Sequence, residues 1–499
     1  MSDKKSKKVV KFRSHFANTI RDVMKSYPGW VETLGSDWDF IWSGVEWIRE
    51  HFDSVRFLPH QRVNHFRNHY EISRKDHMVK NIKRMQKALQ KAGKPEQHDF
   101  SFYPATFVLP KDYSLLVEEY RKSKGDVWIM KPVGRAQGKG IFLFSKISAI
   151  SAWKRDLHWD PTPKSSDTPT YVCQKYLANP LLVGGRKFDL RIYVLVTSYS
   201  PLTVWLCRTG FGRFSYHRYT TDKASLSSVS VHLTNVAIQK KDSAYRDDLA
   251  GSKWDLKTVR HYVTNRFGRV QADKLFVEME KLIIRSLQSV SKIIVQDNHC
   301  FELYGYDVLI DADLKPWLIE INASPSLTAD TKGDYKLKEA MLHDMITVVD
   351  MFGELPADVE EVGCWDLIYD EKKALGGTQG KSDIRPWLIE INASPSLTAD
   401  TKGDYKLKEA MLHDMITVVD MFGELPADVE EVGCWDLIYD EKKALGGTQG
   451  KSDIRVRGRE MLDLNCGWIR RGISFLGCDD DRARRLRQLE KKIASSKMK

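Results

Sequence analysis

The chain has 499 residues, of which 42% are hydrophobic and 29% are charged, and its formal net charge at pH 7 is +11. This composition excludes an intrinsically disordered polypeptide, and no apolar run reaches the roughly 18 residues that a transmembrane helix requires. The basic segment 1–13 is not followed by an apolar stretch, so we expect no secretory signal.

The surplus of positive charge predicts an acidic partner, which could be nucleic acid, an anionic membrane or an acidic polypeptide. The sequence contains neither zinc-finger spacing nor a basic–aromatic recognition motif. These absences give no reason to prefer nucleic acid, and we expect neither a nucleic-acid partner nor a membrane partner. A charge that serves only solubility is the alternative. The seven cysteines are scattered and form no C-x-x-C pair, which is typical of a reduced, cytoplasmic compartment.

Residues 14–80 alternate short predicted elements with aromatic residues, which indicates a compact N-terminal α/β domain after the basic tail 1–13. The dense polar run 65–76 precedes a helix predicted over 78–92. This run could face a ligand or could cap that helix, and the sequence leaves both interpretations open.

A glycine-rich segment, 133–140, lies between two predicted strands, 127–132 and 141–144, and the first strand carries Lys131. Its three glycines and two cations indicate a flap whose backbone N–H groups can wrap a polyphosphate, although an ordinary flexible turn is the alternative. The segment lacks the G-x-x-x-x-G-K-[ST] pattern, so it is not a Walker loop.

The strand predicted over 171–177 leads into a connector whose backbone groups could hold a purine edge. In the next strand, Lys187, Asp189 and Arg191 alternate with apolar residues and precede a continuous apolar run, 192–196. We expect their shared side to line a cleft, with Asp189 pairing the cations and Arg191 or Lys187 on phosphate. A solvated face of an edge strand is the alternative.

Residues 304–327 predict a β-hairpin that carries acids, since apolar runs at 308–310 and 317–321 flank a short polar turn. Asp307 opens the first strand, whereas Glu320 and Asn322 lie two residues apart in the second and so share a face. Three hard oxygen donors predict a Mg²⁺ site that substrate phosphates complete. A solvated hairpin is the alternative, but an unpaired Glu320 within an apolar strand would be costly.

Six segments, taken in this order, resemble the tubulin tyrosine ligase-like family of ATP-grasp acid–amine ligases, and in particular its glutamate-adding branch. These segments are WIMKP, GKGIFLF, GGRKFDLRIYVLV, VHLTNVAIQ, YGYDVLI and WLIEINASPSL. The resemblance runs from about residue 12 to about residue 351. It implies an α/β (α+β) ATP-grasp-like ligase whose N-terminal (14–80), central (81–183) and C-terminal (184–365) domains surround a nucleotide cleft.

The resemblance also implies roles for individual residues. ATP would be surrounded by Lys131, Gln137, Gly138, Gln174, Lys175, Tyr176, Leu177, Lys187, Thr234 and Asn235. Mg²⁺ would be held by Asp307, Glu320 and Asn322, and the incoming glutamate would contact Arg213, Lys253 and, as a looser candidate, Lys338. Arg191, Lys187 and Glu320 would be the catalytic residues, because cations and a metal ligand neutralise charge on a transferring phosphoryl group.

The implied reaction is the ATP- and Mg²⁺-dependent addition of glutamate to tubulin side chains through an acyl phosphate. Its partners would be the acidic C-terminal tails of tubulin, microtubules and free L-glutamate. The expected location is the cytoplasm and cytoskeleton, at the basal body or axoneme of a cilium. The alternatives are a tubulin glycine ligase and a non-catalytic microtubule- or axoneme-binding protein, against which the intact metal set argues.

Arg213 follows a strand predicted over 202–207, and we expect it in a glycine-rich turn. A glutamate clamp is the favoured interpretation of this residue. An exposed cation that only helps to bind acidic tails is the alternative.

An unusual feature of the chain is that residues 316–385 recur without change as residues 386–455, before a basic tail, 456–499. Such identity indicates a recent duplication or an error in the gene model, and we favour the error. The second copy lacks the acid-bearing first strand of the hairpin. Pairing it with that strand would replace a loop of about 5 residues by one of about 75, at a cost of about 2.4 kcal/mol, so we expect the first copy to form the site.

Overall fold

The computed structural model describes residues 9–123, 125–135, 138–150, 170–240, 253–329, 331–374, 431–432, 435–436 and 476–477. The described residues fall into two units, one within 1–377 and 462–499 and the other within 378–461. Helices and several sheets occur together in the first unit, which confirms the predicted mixed α/β class. The boundaries of the three predicted domains stay predictions.

The N-terminal part of the first unit is a parallel sheet of four strands in the order β2-β1-β3-β4. Phe12 and Phe40 have no exposed surface, and Trp38 and Trp42 are also buried, so most of these aromatic residues lie in the core as expected, whereas Trp30 and Trp47 are half-buried. The elements are β1 (Val10–Ser14), α1 (Thr19–Ser26), β2 (Trp30–Glu32), β3 (Phe40–Trp42), α2 (Val45–His51), a 3-10 turn (Phe52–Ser54) and β4 (Arg62–Val63).

Two helices and a 3-10 segment follow this sheet: α3 (Tyr70–Ser73), α4 (Lys75–Lys91) and Pro95–Phe100. Helix α4 begins three residues earlier than the sequence pattern predicts. Asp76 in its first turn favours that start, because a carboxylate there complements the partial positive charge of a helix N-terminus. Its buried face carries Met78, Val79 and Ile82.

A second sheet has four antiparallel strands in the order β5-β8-β6-β7. The strands predicted at 127–132, 141–144 and 171–177 are confirmed to within a few residues. Trp128 and Leu116 are fully buried in the core of this sheet. Its elements are β5 (Thr106–Leu109), α5 (Tyr113–Lys122), β6 (Trp128–Pro132), β7 (Phe142–Phe144) and β8 (Tyr171–Lys175).

The largest sheet is antiparallel, with the order β14-β13-β10-β11-β16-β15, and with β9 on β10 and β12 on β11. The predicted hairpin is confirmed as β13–β14. The strands are β9 (Leu182–Val183), β10 (Arg186–Tyr199), β11 (Leu202–Phe214), β12 (Lys253–Asp255), β13 (Glu302–Ile310), β14 (Pro316–Asn322), β15 (Glu361–Val362) and β16 (Trp365–Asp370). The helical segments among them are a 3-10 turn (Lys223–Ser227), α6 (Val229–His232), α7 (Val236–Gln239), α8 (Leu256–Phe267), α9 (Arg269–Ser291), α10 (Lys332–Val349) and α11 (Glu371–Ala374).

The two faces of the largest sheet differ, since side chains alternate along each strand. One face is apolar and contributes Leu190, Ile192 and Val194 to the core that also holds the buried faces of α8 and α9. The opposite face is apolar only in part. Leu195 and Trp205 pack there in a second core together with residues of α1 and α10, whereas the remainder of that face carries charged side chains.

Two short segments of the C-terminal region are described. Leu476 is buried in the first core, and the N–H of Gly477 donates to the carbonyl oxygen of Arg208 at 2.9 Å. In the second unit, β17 (Glu431–Val432) pairs with β18 (Trp435–Asp436) in the register that β15 and β16 use in the first copy of the repeat. The remainder of the second copy lies outside the described residues. None of the helices in the described part combines the length and the apolar character that a bilayer crossing needs.

Candidate functional site

A cleft between the second sheet and the largest sheet brings together many of the residues that the sequence singles out. Its lining is drawn from β6, β8, β10, β13 and β14 and from the segment 232–235. The predicted residues on it are Lys131, Gly138, Gln174, Lys175, Tyr176, Leu177, Lys187, Thr234, Asn235, Asp307 and Glu320. Gln137 lies outside the described residues.

Two buried lysines face this cleft from opposite sheets. Lys131 Nζ donates to Gln174 Oε1 at 2.7 Å, and Lys187 Nζ donates to the Tyr176 hydroxyl at 3.0 Å and to the His232 carbonyl oxygen at 2.9 Å. Neither lysine forms an ion pair with a carboxylate in the described part of the chain. Burial lowers the pKa of Lys131 to about 8 and that of Lys187 to about 7. Buried amines of this kind gain most from an anionic ligand, because a nearby negative charge restores their protonated form.

Asp307 is the centre of a buried ion network on the charged part of the largest sheet. Its Oδ1 accepts from Arg191 Nε at 2.6 Å, and its Oδ2 is 2.8 Å from Arg213 Nη2. Arg213 Nε also donates to Asp189 Oδ1 at 3.0 Å. Burial opposes ionisation of Asp307, but the charges of Arg191 and Arg213 outweigh it and hold the pKa of Asp307 well below its usual range.

The network corrects two expectations about the cations. Asp189 pairs with Arg213 rather than with Lys187 or Arg191, because the β10–β11 register places Asp189 opposite Arg213. Arg213 lies inside β11 rather than in a turn, and it is only 7% exposed, so the interpretation as an exposed cation is wrong. The glycines near Arg213 are part of the strand and do not form a turn. At Gly210 the side chain has to be absent, because a Cβ there would come within 2.6 Å of the Arg191 carbonyl oxygen.

The predicted metal ligands lie on the hairpin β13–β14. Asp307 and Glu320 are directly opposite each other in its register, and both line the cleft. Glu320 Oε2 is 3.4 Å from Lys75 Nζ. Asn322 does not line the cleft, and its Nδ2 donates to the Gly305 carbonyl oxygen at 3.3 Å. Among the described residues no group of three His, Cys, Asp or Glu side chains could hold a metal ion.

The donor chemistry of the hairpin nevertheless fits Mg²⁺, which prefers carboxylate and amide oxygens and keeps several waters. A carboxylate has about four lone-pair sites, so Asp307 can accept from two guanidinium groups and still contribute an oxygen to a cation. Asp307 and Glu320 therefore form a pair of adjacent hard donors beside the two buried lysines.

The three residues predicted to contact an amino acid form one group next to this network. Lys253 is opposite Arg213 in the β11–β12 register, and its Nζ is 3.6 Å from Asp334 Oδ2. Lys338 is buried, and its Nζ is 3.0 Å from the same carboxylate and donates to the Thr328 carbonyl oxygen at 2.7 Å. Asp334 thus connects Lys253 and Lys338.

These sites also include three residues whose roles the sequence pattern does not predict: Lys75, His232 and Asp334. Lys75 lies in the polar run 65–76, and its contact with Glu320 favours the ligand-facing interpretation at this position. Asp334 could have been found from its spacing, since Thr331 caps α10 by accepting from the Asp334 N–H at 3.1 Å. His232 offered no local signal beyond its place in the segment VHLTN.

Comparison with known proteins identifies the class to which this fold and site belong. The model of the tubulin-tyrosine ligase family matches residues 53–357 and 378–427. The chain therefore belongs to the tubulin-tyrosine ligase family, as its motifs predicted.

Several relatives are similar over most of the chain. A Bos taurus protein named probable tubulin polyglutamylase TTLL9 is 47% identical over 390 residues, which are 72% of this chain and 84% of the bovine protein. A Caenorhabditis elegans protein named probable tubulin polyglutamylase ttll-9 is 46% identical over 74% of this chain and 88% of its own length. A Tetrahymena thermophila protein named probable alpha-tubulin polyglutamylase Ttll1 is 42% identical over 73% of this chain and 94% of its own length.

The ion network predicts a large stability cost for one substitution. Arg213→Ala should lower the free energy of unfolding by about 3–5 kcal/mol, because it leaves two buried carboxylates with fewer cations. Lys122→Ala removes an exposed ion pair with Glu118, which solvent screens, and should leave the free energy of unfolding almost unchanged. Urea unfolding of both variants measures the difference, and equal costs would contradict the network's structural role.

If the phosphates of a nucleotide meet Lys187, its lowered pKa predicts that binding takes up a proton above pH 7. Below pH 7 the amine is already charged, whereas above pH 7 the phosphates have to bind the neutral form or recharge it. The Kd of an ATP analogue should therefore increase with rising pH, by up to about tenfold per pH unit.

Calorimetric titration at a series of pH values tests this expectation, with Lys187→Arg as the control because arginine stays charged throughout. In the control, the increase in Kd that begins near pH 7 should be lost. The increase in Kd that begins near pH 8, which comes from Lys131, should remain. An identical pH profile in both proteins would show that Lys187 does not meet the phosphates.

Proposed function

We propose that this chain is an ATP- and Mg²⁺-dependent ligase that adds glutamate to tubulin, a tubulin polyglutamylase. The observation that carries the proposal is the cleft in which buried lysines face a carboxylate pair, in a family member that is 46–47% identical to relatives named tubulin polyglutamylases. A chain whose site residues had been lost would not retain this arrangement, which argues against a non-catalytic binding protein.

The cleft has the architecture expected of an ATP-grasp enzyme, in which a nucleotide binds between two antiparallel sheets. The second sheet would belong to the central domain, 81–183, and the largest sheet to the C-terminal domain, 184–365, with the N-terminal domain at 14–80. Lys131 and Lys187 would meet the phosphates from the two sides, since both amines are buried and lack a carboxylate partner among the described residues. The strand β8 and its connector would hold the base, with Gln174, Lys175, Tyr176 and Leu177.

The glycine-rich segment would close over the phosphates together with Thr234 and Asn235. Gly138 has a φ of +73°, in the left-handed region that favours glycine, and a Cβ at this position would collide with the Ile238 side chain. The positive φ at residue 138 and its close approach to Ile238 therefore both favour glycine at this position. Gln137 stays a predicted ligand of the nucleotide.

Asp307 and Glu320, with Asn322 beside them, would hold Mg²⁺. When bound, the cation supplies positive charge next to the transferring phosphoryl group. Arg191 lies within the same network and would add a guanidinium on that side, which is the electrostatic contribution expected of the protein in phosphoryl transfer.

The reaction would proceed in two steps. A side-chain carboxylate of tubulin attacks the γ-phosphorus of ATP, which forms an acyl phosphate and releases ADP. The amine of free glutamate then attacks the acyl carbon, and phosphate leaves as the isopeptide bond forms and the nitrogen loses a proton. Activation is needed because hydroxide is a poor leaving group, and the chain has to supply positioning and charge rather than a nucleophile.

The free glutamate would bind next to the metal pair, on Arg213, Lys253 and Lys338. These cations already have carboxylate partners, Asp189 and Asp307 for Arg213 and Asp334 for the two lysines. A glutamate side chain would bring a further carboxylate to these cations, whereas glycine would not. A site of this kind favours glutamate over glycine, because the cations attract the side-chain carboxylate that glycine lacks.

The acidic tubulin tail would follow a cationic stripe on α4. Lys80, Arg84, Lys87 and Lys91 are all exposed, and their spacing places them on one side of the helix, opposite its buried face. None of the four forms an ion pair within the described part of the chain. The stripe begins about 8 Å along the helix from Lys75 and runs for about 16 Å. Attraction to this stripe would bring the tail to the cleft and place the enzyme on the cytoskeleton, at microtubules of the cilium.

Labelled amino acids test the proposed reaction. With ATP, Mg²⁺ and tubulin, the wild-type protein should incorporate labelled glutamate and little or no glycine. Glu320→Gln should abolish incorporation without changing the melting temperature, because the amide keeps the shape and removes the charge that holds the cation. The matched control is Glu390→Gln, the same substitution in the second copy, which should be harmless.

Each contrary result has a distinct meaning. Incorporation of glycine would favour the glycine ligase, and loss of activity in Glu390→Gln but not in Glu320→Gln would show that the second copy forms the site. Microtubule binding without any incorporation would identify a non-catalytic protein.

The cationic stripe predicts a salt-dependent effect on tubulin alone. Arg84→Gln combined with Lys87→Gln should raise the KM for tubulin by about fivefold at low salt and by less at high salt, because exposed charges are screened. The KM for ATP should not change. The matched control replaces Lys274 and Lys292, two exposed cations near α9, and an equal effect there would show that the stripe has no special role.

A further inference from the structure

The hydroxyl of Tyr193 is buried and has no hydrogen-bond partner among the described residues. Other buried tyrosines of the largest sheet are paired: the hydroxyls of Tyr199 and Tyr304 lie 2.7 Å apart, and that of Tyr306 lies 2.8 Å from Ser286 Oγ. An unpaired buried hydroxyl costs about 1–3 kcal/mol, so its presence in a well-packed sheet needs an explanation.

Tyr193 lies on β10 where the charged part of the sheet face meets the apolar part. It shares that face with Asp189 and Arg191, which precede it, and with Leu195, which follows it in the second core. Its register partner on β13 is Gly305, two residues before Asp307. The Tyr193 side chain therefore lies at the boundary between the second core and the charged group.

Phe211 connects the ring of Tyr193 to the predicted amino-acid site. The Tyr193 ring packs edge-on against Phe211, with 6.4 Å between the ring centroids, and Lys253 Nζ lies 5.1 Å from the centroid of the same Phe211 ring. The charges that act on the phenol include those of Arg191, Asp334 and Arg213, and burial raises the pKa of Tyr193 above its usual value. The hydroxyl is thus a neutral O–H group that can donate one hydrogen bond.

We propose that the Tyr193 hydroxyl donates a hydrogen bond to a carboxylate of the incoming amino acid and so determines substrate affinity. The inference rests on the proposed function, because it assigns a further residue to the glutamate site formed by Arg213, Lys253 and Lys338. A neutral donor among cations is suited to an anionic acceptor, and a bound carboxylate would supply the partner that the hydroxyl lacks. The free protein carries the cost of the unpaired group, and substrate binding removes it.

Tyr193→Phe separates this role from a purely structural one, since phenylalanine keeps the ring and its packing. In the free protein the substitution should leave the melting temperature unchanged or raise it, because no hydrogen bond is lost. The Kd for glutamate, measured by calorimetry with a non-hydrolysable ATP analogue present, should increase about tenfold, which corresponds to a loss of about 1.4 kcal/mol in binding free energy. The Kd for the ATP analogue should stay the same.

Tyr306→Phe is the matched control, because it removes the bond to Ser286 on the opposite, apolar face of the sheet. It should lower the melting temperature and leave the Kd for glutamate unchanged. Two substrate analogues then identify which carboxylate is bound: glutamine lacks the side-chain carboxylate, and 4-aminobutanoate lacks the α-carboxylate. The tenfold difference between Tyr193→Phe and wild type should disappear with one of them.

Three outcomes overturn the inference. If wild type and Tyr193→Phe bind glutamate equally, the hydroxyl does not contact the substrate, and the proposed function is unaffected. If the difference persists with both analogues, the hydroxyl contacts a group other than a carboxylate. If the wild-type protein binds the ATP analogue but no glutamate, the proposed function fails and the inference fails with it.

Discussion

The buried ion network of Asp189, Arg191, Arg213 and Asp307 is the constraint on which the site depends. It joins β10, β11 and β13 through side chains on one face of the largest sheet, at positions that the register places opposite each other. Because an unpaired charge is so costly at this depth, each member fixes the orientation of the others. Asp307 is thereby held ionised towards the cleft, and Arg213 is held beside Lys253.

The two buried lysines of the cleft differ from this network in the kind of partner that they have. Lys131 and Lys187 are satisfied by neutral oxygens rather than by carboxylates, and burial lowers the pKa of both. The charged network therefore maintains the shape of the site, whereas the lysines are the groups that we propose meet the phosphates. The Tyr193 hydroxyl resembles the lysines in this respect, since it has no hydrogen-bond partner among the described residues and we propose that a ligand supplies one.

The repeated segment shows which structural features depend on neighbouring residues alone and which depend on tertiary contacts. The pairing of β15 with β16 recurs between β17 and β18 in the same register, because a short antiparallel pair is specified by adjacent residues alone. The hairpin β13–β14 is different. Glu320 faces Asp307 only because β13 precedes its strand, and the residues before Pro386 do not repeat the sequence of β13.

The sequence by itself determined the mixed α/β class, the hairpin with Asp307 and Glu320, the strands that carry Lys131 and Lys187, and the family. These features are local patterns of two-residue alternation and turn residues, which neighbouring side chains specify. Only the tertiary structure decided that Arg213 is buried in a strand, that Asp189 pairs with it, and that Lys75 and Asp334 join the site. Their partners are distant in the chain, so strand register and helix packing select them, and no local pattern records that choice.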